Sequence, residues 1–236
     1  MKDAAFNNFL IEIKKAAAEC SAFSFKPTFN IEKLLIGQGL SVIAGIDEAG
    51  RGALAGPLCV GLVIYDASFI LSSHGMRGID DSKKLNHRKR VAALDIITSN
   101  CVLATSVLVS HRAIDSMNVN RATEFAIDKL LKSISVKPDL VLLDGNFSFE
   151  AAYPILSLPK GDTRSVSVAS ASIVAKVRRD TVLDKLDALY PEYHFINNKG
   201  YGTRRHIQAI YENGFTPLHR KSYDPVKSII SGHEEP

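Results

Sequence analysis

Two adjacent carboxylates, Asp47 and Glu48, are the first residues in this sequence that could do chemistry. They end a short apolar run and precede the turn Gly50-Arg51-Gly52. An isolated Asp-Glu pair most often forms a solvated turn, but these glycines let the backbone approach a ligand closely and leave the Arg51 guanidinium projecting. Because sites in α/β folds form at strand ends, the segment is a candidate active-site loop. Its glycine spacing fits neither a P-loop nor a dinucleotide-binding loop.

A third carboxylate, Asp144, ends a second apolar run at residues 140–144. An Asp followed by glycine often only opens a turn. If the second strand lies beside the first, however, Asp144 meets Asp47 and Glu48. Three converging carboxylates repel one another unless a cation neutralises them. Oxygen ligands without histidine or cysteine favour Mg²⁺ or Mn²⁺ over zinc, so the sequence predicts a site for a hard divalent metal.

Asp162 and Tyr201 stand in two further segments, each open to two interpretations. Asp162 precedes a long helix and can add a fourth carboxylate to the acidic group; alternatively, Asp162 or Thr163 can cap the helix. Tyr201 lies between two glycines, so its local neighbours bury it poorly. It can stack on a base or sugar of a nucleic acid, or it can pack into the core beside the next helix.

Basic and hydroxyl side chains in two segments can bind phosphates. Residues 82–90 begin with Ser82 and Lys83, are rich in Lys and Arg, and contain no acid. On the long helix, Ser172 and Lys176 are one turn apart and share a face. Such groups are typical contacts to the backbone of a nucleic acid. The alternatives are a solvated helix start and, for Lys176, an ion pair with the acid one turn further on.

Alternating strands and helices must position these groups. Apolar runs predict strands, and 3.6-residue periodicity predicts helices, the longest of which is stopped by a proline. The predicted strands are residues 42–47, 59–65, 101–109, 140–144 and 153–158, and the predicted helices are residues 86–98, 121–134, 167–190 and 203–213. The alternation predicts an α/β fold, with a mixed sheet flanked by helices.

Composition limits the class of protein. With 236 residues, 46% hydrophobic and 23% charged, the chain can form one well-buried domain. We expect an N-terminal helical extension over residues 1–40, without an assigned function, and one catalytic domain over residues 41–236. No apolar run is long enough to span a membrane. The three cysteines, an odd number without CxxC spacing, favour a reducing compartment, hence the cytoplasm. The net charge of +4 suits a nucleic-acid partner.

In this order, the segments resemble ribonuclease HII. The matching stretches, which span most of residues 44–227, are GIDEAGRGALAGP, DDSKKL, LLDGN, KGD, SVASASIVAKVRRD, KGYGT and HRKSYDPVK. Each stretch alone is weak, but together they are highly specific. The resemblance implies a ribonuclease H-like core with a helical C-terminal part. It also implies an endonuclease that acts on RNA–DNA hybrids, or on duplex DNA with embedded ribonucleotides.

The resemblance also implies a role for each matching acid. Three of them would bind the metal: Asp47, Glu48 and Asp144. Asp162 would complete the catalytic set. Two divalent ions, Mg²⁺ or Mn²⁺, would then drive hydrolysis to a 3′-hydroxyl and a 5′-phosphate, with the cut on the 5′ side of a ribonucleotide.

The remaining implied roles concern the substrate. The turn Gly50-Arg51-Gly52 would read the ribonucleotide 2′-hydroxyl, and Tyr201 would press on the neighbouring deoxyribose. The residues implied in holding phosphates are Ser82, Lys83, Ser172 and Lys176. We expect a monomer. Three rivals stay open at this point: ribonuclease HIII, a non-catalytic hybrid-binding module and a small-molecule phosphohydrolase.

Overall fold

A mixed sheet of five strands lies at the centre of the protein, whose computed structural model describes residues 9–16, 26–73, 75–147 and 149–232. The strands are β1 (Ile43–Ala49), β2 (Leu58–Ile64), β3 (Leu103–Val109), β4 (Leu140–Asp144) and β5 (Ile155–Leu158). Their order is β3-β2-β1-β4-β5. Strand β1 pairs antiparallel with β2 and parallel with β4, so the carboxyl ends of β1 and β4 share one edge.

Helices cover both faces of the sheet. They are α1 (Asn30–Gly37), α2 (Ala67–Ser72), α3 (His87–Asn100), α4 (His111–Ser133), α5 (Val166–Asp187), α6 (Phe195–Asn198), α7 (Arg204–Asn213) and α8 (Val226–Ile230). One face packs on α4 through residues such as Ile46, Leu62 and Leu143. The other face packs on α5, α3 and α1. Every residue of β2 is buried, as expected for a strand covered on both sides.

Two glycines let α5 lie directly on the sheet. A Cβ atom at Gly45 would lie 2.2 Å from the backbone of Ser167, and one at Gly61 would lie 2.3 Å from the carbonyl oxygen of Ala171. Any larger residue would push the helix outward. This close approach matters for function because α5 carries Ser172 and Lys176 along the same edge of the sheet.

A buried carboxylate attaches α1 to α5. Glu32 accepts a 2.6 Å hydrogen bond from the Ser165 hydroxyl and a 3.0 Å hydrogen bond from the Ser167 amide. Ser165 is itself the N-cap of α5 and accepts from the Val168 amide. Part of the predicted N-terminal extension therefore packs on the core. Its boundary at residue 40 stays a prediction, because residues 1–8 and 17–25 lie outside the described residues.

The structure differs from the predicted elements in three places. The helix predicted at residues 121–134 begins at His111 and is kinked at Asn118, whose backbone is not helical. The short helices α2, α6 and α8 were not predicted, because four to six residues show too little periodicity. Strand β1 continues to Ala49, so Asp47 and Glu48 lie inside it. None of the described helices is long and apolar enough to cross a membrane.

Candidate active site

Three carboxylates from distant segments meet at the edge shared by β1 and β4. One oxygen from each of Asp47, Asp144 and Asp162 lies within 4.8 Å of the others. Asp47 and Asp162 are buried, and Asp144 is half-buried. A cluster of oxygen donors, without histidine or cysteine, fits Mg²⁺ or Mn²⁺.

Strand register and one tight turn produce this convergence. Ile46 pairs with Leu143 in the parallel ladder. Asp47 and Asp144 are the next residues on these two neighbouring strands, so they lie side by side. Asp162 arrives from a 3-10 turn at Gly161–Thr163. The Gly161 amide donates a 2.6 Å hydrogen bond to the Asp144 carboxylate and thereby holds the turn against β4. The predicted alternative, in which Asp162 or its neighbour caps the long helix, is not observed, because Ser165 is the cap.

Electrostatic repulsion in the cluster indicates that it needs a cation. Burial raises the pKa of Asp47 well above its usual value, and the charges of Glu48 and Asp144 raise it further. Burial also raises the pKa of Asp144, with a further contribution from Asp162. The Lys83 ammonium lies 3.4 Å from Asp162 and is exposed to solvent, so it offsets only part of this repulsion. A bound divalent cation would remove the rest.

Glu48 lies beside the cluster but on the other face of the sheet. Adjacent strand residues point to opposite faces, so Asp47 faces α5 and Glu48 faces α4. One Glu48 oxygen is 3.5 Å from Arg51 Nε, and the other is buried without a hydrogen-bond partner among the described residues. Burial raises the pKa of Glu48 to about 7, although Arg51 opposes the rise. This unpartnered oxygen is free to bind a metal.

The Arg51 side chain corrects one expectation, because it does not project from the loop. Its guanidinium donates hydrogen bonds to Thr123 Oγ1 at 2.9 Å and Asn120 Oδ1 at 2.7 Å. It also lies 5.3 Å from the ring centre of Phe147. The side chain therefore anchors the loop to α4.

The backbone of this loop is held from the C-terminal side. Arg220 is buried and donates 2.6 Å hydrogen bonds to the carbonyl oxygens of Gly50 and Arg51. Tyr223 donates a 2.8 Å hydrogen bond to the same Arg51 oxygen. At Gly50 the φ angle is +95°, whereas a Cβ atom at Gly52 would meet no described atom within 4 Å. The structure therefore leaves space for a ligand beside Gly52.

A cleft of about 450 Å³ next to Glu48 brings the other predicted substrate residues together. The predicted substrate-binding residues that line the cleft are Ser82, Lys83, Ser172, Lys176 and Tyr201. The Ser82 and Ser172 hydroxyls are 2.9 Å apart. Lys176 forms the alternative ion pair, at 2.8 Å from Asp180, and its ammonium also lies 5.4 Å from the ring centre of Tyr201. The half-buried Tyr201 ring faces the cleft and is not part of a core cluster.

Two buried arginines that support this region were not predicted. Arg179 donates hydrogen bonds to the carbonyl oxygens of Ala55, Pro57 and Lys199, and its guanidinium lies 5.2 Å from the Tyr201 ring centre. It stands three residues after Lys176 on α5. A charged residue on the buried face of a helix could have been recognised in the sequence as a sign of a buried polar contact. Arg220 had no local signal, because its acceptors lie about 170 residues away in the sequence.

Comparisons with known proteins agree with this geometry. The model of the family described as Ribonuclease HII matches residues 44–226. A protein described as Ribonuclease HII from Listeria innocua is 42% identical over 193 residues, which cover 82% of this chain and 72% of the relative. Another, from Rickettsia conorii, is 45% identical over 182 residues, which cover 77% of this chain and 91% of the relative.

Solved structures share the fold. The crystal structure of ribonuclease H2 from Pyrococcus horikoshii superposes with a TM-score of 0.70 at 25% identity, covering 81% of this chain and 98% of that one. Bst-RNase HIII in complex with Mn²⁺ superposes with a TM-score of 0.61 at 17% identity, covering 82% and 70% of the two chains. The predicted ribonuclease H-like fold, a mixed sheet flanked by helices, is confirmed.

Proposed function

Because the chain belongs to the ribonuclease HII family and is a metal-dependent ribonuclease, we propose that it hydrolyses the RNA strand of RNA–DNA hybrids and cuts duplex DNA on the 5′ side of embedded ribonucleotides. The products carry a 3′-hydroxyl and a 5′-phosphate. The observation that carries this proposal is the convergence of Asp47, Asp144 and Asp162 beside a cleft lined with phosphate-binding groups. The enzyme acts as a cytoplasmic monomer, with its catalytic domain at residues 41–236.

The acidic residues hold the metal, which is Mg²⁺ or Mn²⁺. Asp47, Asp144 and Asp162 supply oxygens from the α5 side, and Glu48 supplies its unpartnered oxygen from the α4 side. When bound, two divalent ions supply an activated water and stabilise charge on the leaving 3′-oxygen. The carboxylates themselves need not transfer protons; their task is to fix the cations.

The cleft residues hold the phosphates on either side of the cut. Lys83 and Lys176 provide positive charge, and the paired hydroxyls of Ser82 and Ser172 provide donors. Because Lys176 is already paired with Asp180, it approaches a phosphate as part of an ion-pair network. Such contacts make binding sensitive to salt.

Selectivity for RNA needs a group that recognises the 2′-hydroxyl, which is both a donor and an acceptor. In the turn Gly50-Arg51-Gly52, the carbonyls of the first two residues are already occupied and the Arg51 side chain points away. The open side at Gly52 gives the 2′-hydroxyl a place to meet the backbone. Tyr201 stacks on the deoxyribose that follows the ribonucleotide, which directs cleavage to RNA-to-DNA junctions.

The deciding experiment uses a labelled DNA duplex that contains one ribonucleotide. With Mg²⁺ or Mn²⁺ we expect a single cut on the 5′ side of the ribonucleotide, and without metal none. Asp47→Asn should lower the rate by about 10³-fold or more, since metal catalysis contributes several kcal/mol and each 1.36 kcal/mol is tenfold.

The matched control is Asp128→Asn, which changes a half-exposed carboxylate paired with Lys132 on α4 and should leave the rate unchanged. If the Asp47 variant cleaved at nearly the wild-type rate, the metal-site assignment would be wrong. Cleavage of long hybrids but not of the single-ribonucleotide duplex would instead favour an activity like that of ribonuclease HIII. Failure to cleave either substrate would favour a binding module.

A further inference from the structure

Behind Tyr201 lie two buried histidines that the proposed mechanism does not use. His206 is in the first turn of α7, and His219 is in the turn that follows this helix. Their Nε2 atoms are 3.0 Å apart. Tyr193 and Phe195 enclose them, with ring centres 5.0 to 6.3 Å from the imidazoles. Both imidazoles are buried, so the neighbouring protein groups constrain their tautomers.

The outer end of the pair fixes the tautomer of His219. The backbone amide of Thr216 lies 3.0 Å from His219 Nδ1, and an amide N–H can only donate. The Thr216 hydroxyl lies 2.9 Å from the same nitrogen and can donate as well, so both contacts are satisfied when His219 Nδ1 carries a lone pair. In a neutral ring the proton is then on Nε2, which donates to His206.

The inner end fixes His206 independently. Its Nδ1 lies 2.9 Å from the carbonyl oxygen of Tyr201, and a carbonyl can only accept. His206 Nδ1 must therefore carry a proton, and the Nε2 of the neutral ring accepts. Both ends thus impose the same direction of hydrogen-bond donation. Thr216 donates to His219, His219 donates to His206, and His206 donates to the Tyr201 carbonyl.

A charged ring would break this chain. Protonating His206 would bring two N–H groups face to face between the rings, and protonating His219 would set an N–H against the Thr216 amide. Burial lowers the pKa of both histidines, that of His219 to about 4, with the other histidine contributing. His111 also faces His219 and lowers its pKa further. The pair is therefore neutral at physiological pH.

We propose that His206 and His219 are positioning residues that set junction selectivity by holding the Tyr201 backbone, so that its ring faces the cleft. This inference rests on the function proposed above for Tyr201. The Tyr201 carbonyl accepts from His206 and also from the Thr203 amide at 2.8 Å, so both of its lone pairs are used. With the backbone fixed in this way, the ring stays beside Lys176 and Arg179 at the cleft wall.

The first test is direct and needs no activity. Long-range ¹H–¹⁵N spectra of the ring nitrogens in the wild-type protein at pH 7 should show His219 protonated at Nε2 and His206 protonated at Nδ1. Either ring in the opposite tautomer, or charged at pH 7, would overturn the inference.

The second test compares cleavage of two substrates, as the ratio of kcat/KM for a single-ribonucleotide duplex to kcat/KM for a long hybrid. Tyr201→Ala sets the reference loss in this ratio. His219→Leu should lower the ratio about tenfold, the size expected for one buried hydrogen bond. His219→Gln, whose amide places a donor near the Nε2 position, should stay within about threefold of wild type. Gln208→Ala, on the exposed face of α7, is the matched control and should leave the ratio unchanged.

Each outcome decides something different. If Tyr201→Ala lowers the ratio and a folded His219→Leu does not, the positioning role is wrong. If Tyr201→Ala leaves the ratio unchanged, the junction role of Tyr201 and this inference both fall, while wild-type cleavage still supports the ribonuclease. In the double variant with Tyr201→Ala, His219→Leu should add no further loss, because it acts through Tyr201. If His219→Leu does not fold, the spectra and the Gln variant still test the inference.

Discussion

Replacing Asp47 by Asn should make the metal-free protein more stable, even though it removes a catalytic residue. The Asp47, Asp144 and Asp162 oxygens lie within 4.8 Å of one another. At this distance two negative charges repel by about 3.5 kcal/mol with an effective dielectric constant of ~20, and by about 0.9 kcal/mol in bulk water. The neutral amide removes this repulsion at the centre of the cluster, where burial also opposes the charge.

One opposing contribution reduces the gain. Asp47 accepts a hydrogen bond from Ser172, and weakening it costs about 1 kcal/mol. The net expectation is about 1–3 kcal/mol in the free energy of unfolding. For a chain of this length each kcal/mol raises the melting temperature by about 2–4 °C. Asp47→Asn should therefore melt roughly 2–12 °C above wild type in EDTA.

Adding metal should shrink the stability advantage of the variant, or reverse it. At a Mg²⁺ concentration 100 times its dissociation constant, the wild-type protein gains about 2.7 kcal/mol. The variant, without a central ligand, should gain much less. Calorimetric melts of both proteins, in EDTA and in Mg²⁺, measure the two effects, with Asp128→Asn as the control away from the cluster. If the Asp47 variant melted at or below wild type in EDTA, the cluster would not store repulsion and the reasoning would fail.

Four further predictions concern other groups of the site and of the helix that supports it. Gly52→Val should melt like wild type but cleave poorly at ribonucleotides. Gly50→Ala should lose at least about 1–3 kcal/mol of stability, because the φ angle is positive and its Cβ would lie 2.0 Å from Arg179 Nε. Melting curves and cleavage assays test both variants, and unfolding of Gly52→Val would contradict the first prediction. Mg²⁺ binding at pH 7 should release about half a proton from Glu48, because the pKa of this carboxyl is about 7. The buffer takes up the released proton, so the binding enthalpy measured by calorimetry should differ between buffers with different ionisation enthalpies. Equal enthalpies would exclude Glu48 as a ligand. Without metal, the same raised pKa should make the fold less stable as pH rises from about 4.5 to about 7, because the unfolded carboxyl has already lost its proton. Glu32→Ala should lower the free energy of unfolding by about 2–4 kcal/mol, because it leaves two buried donors at the start of α5 unpaired. Glu32→Gln should lower it less. Denaturant titrations measure both, and an equal loss for the two variants would contradict the capping role.

The acidic cluster shows how far sequence reasoning reaches. Two apolar runs that end in carboxylates predicted the strands that became β1 and β4, and oxygen ligands predicted a hard metal. Whether those strands are neighbours depends on the order of the whole sheet. Nearly a hundred residues separate them, and no local pattern specifies their parallel pairing. From the sequence, the three carboxylates could be expected to meet only if the two strands were neighbours. In the structure they are neighbours.

Other parts of the site depended on partners far away in the sequence. Strand alternation alone would have placed Asp47 and Glu48 on opposite faces, once the strand was known to continue to Ala49. The folded-back Arg51 was not predictable, because its acceptors on α4 are about 70 residues away. A charged side chain near a glycine turn has no local reason to fold back; the tertiary neighbours decide it.

One short C-terminal segment supports both groups that we propose to recognise the substrate. His219 begins the hydrogen-bond chain that reaches the carbonyl of Tyr201, and the next residue, Arg220, holds the carbonyls of the loop at Gly50. The 2′-hydroxyl and the junction sugar are adjacent on one strand, so the two groups must keep a fixed separation. Two adjacent anchors on a single segment enforce that separation, whereas anchors on separate loops would let it vary. If Gly52 and Tyr201 recognise the substrate as proposed, the C-terminal part contributes to specificity through these buried polar contacts.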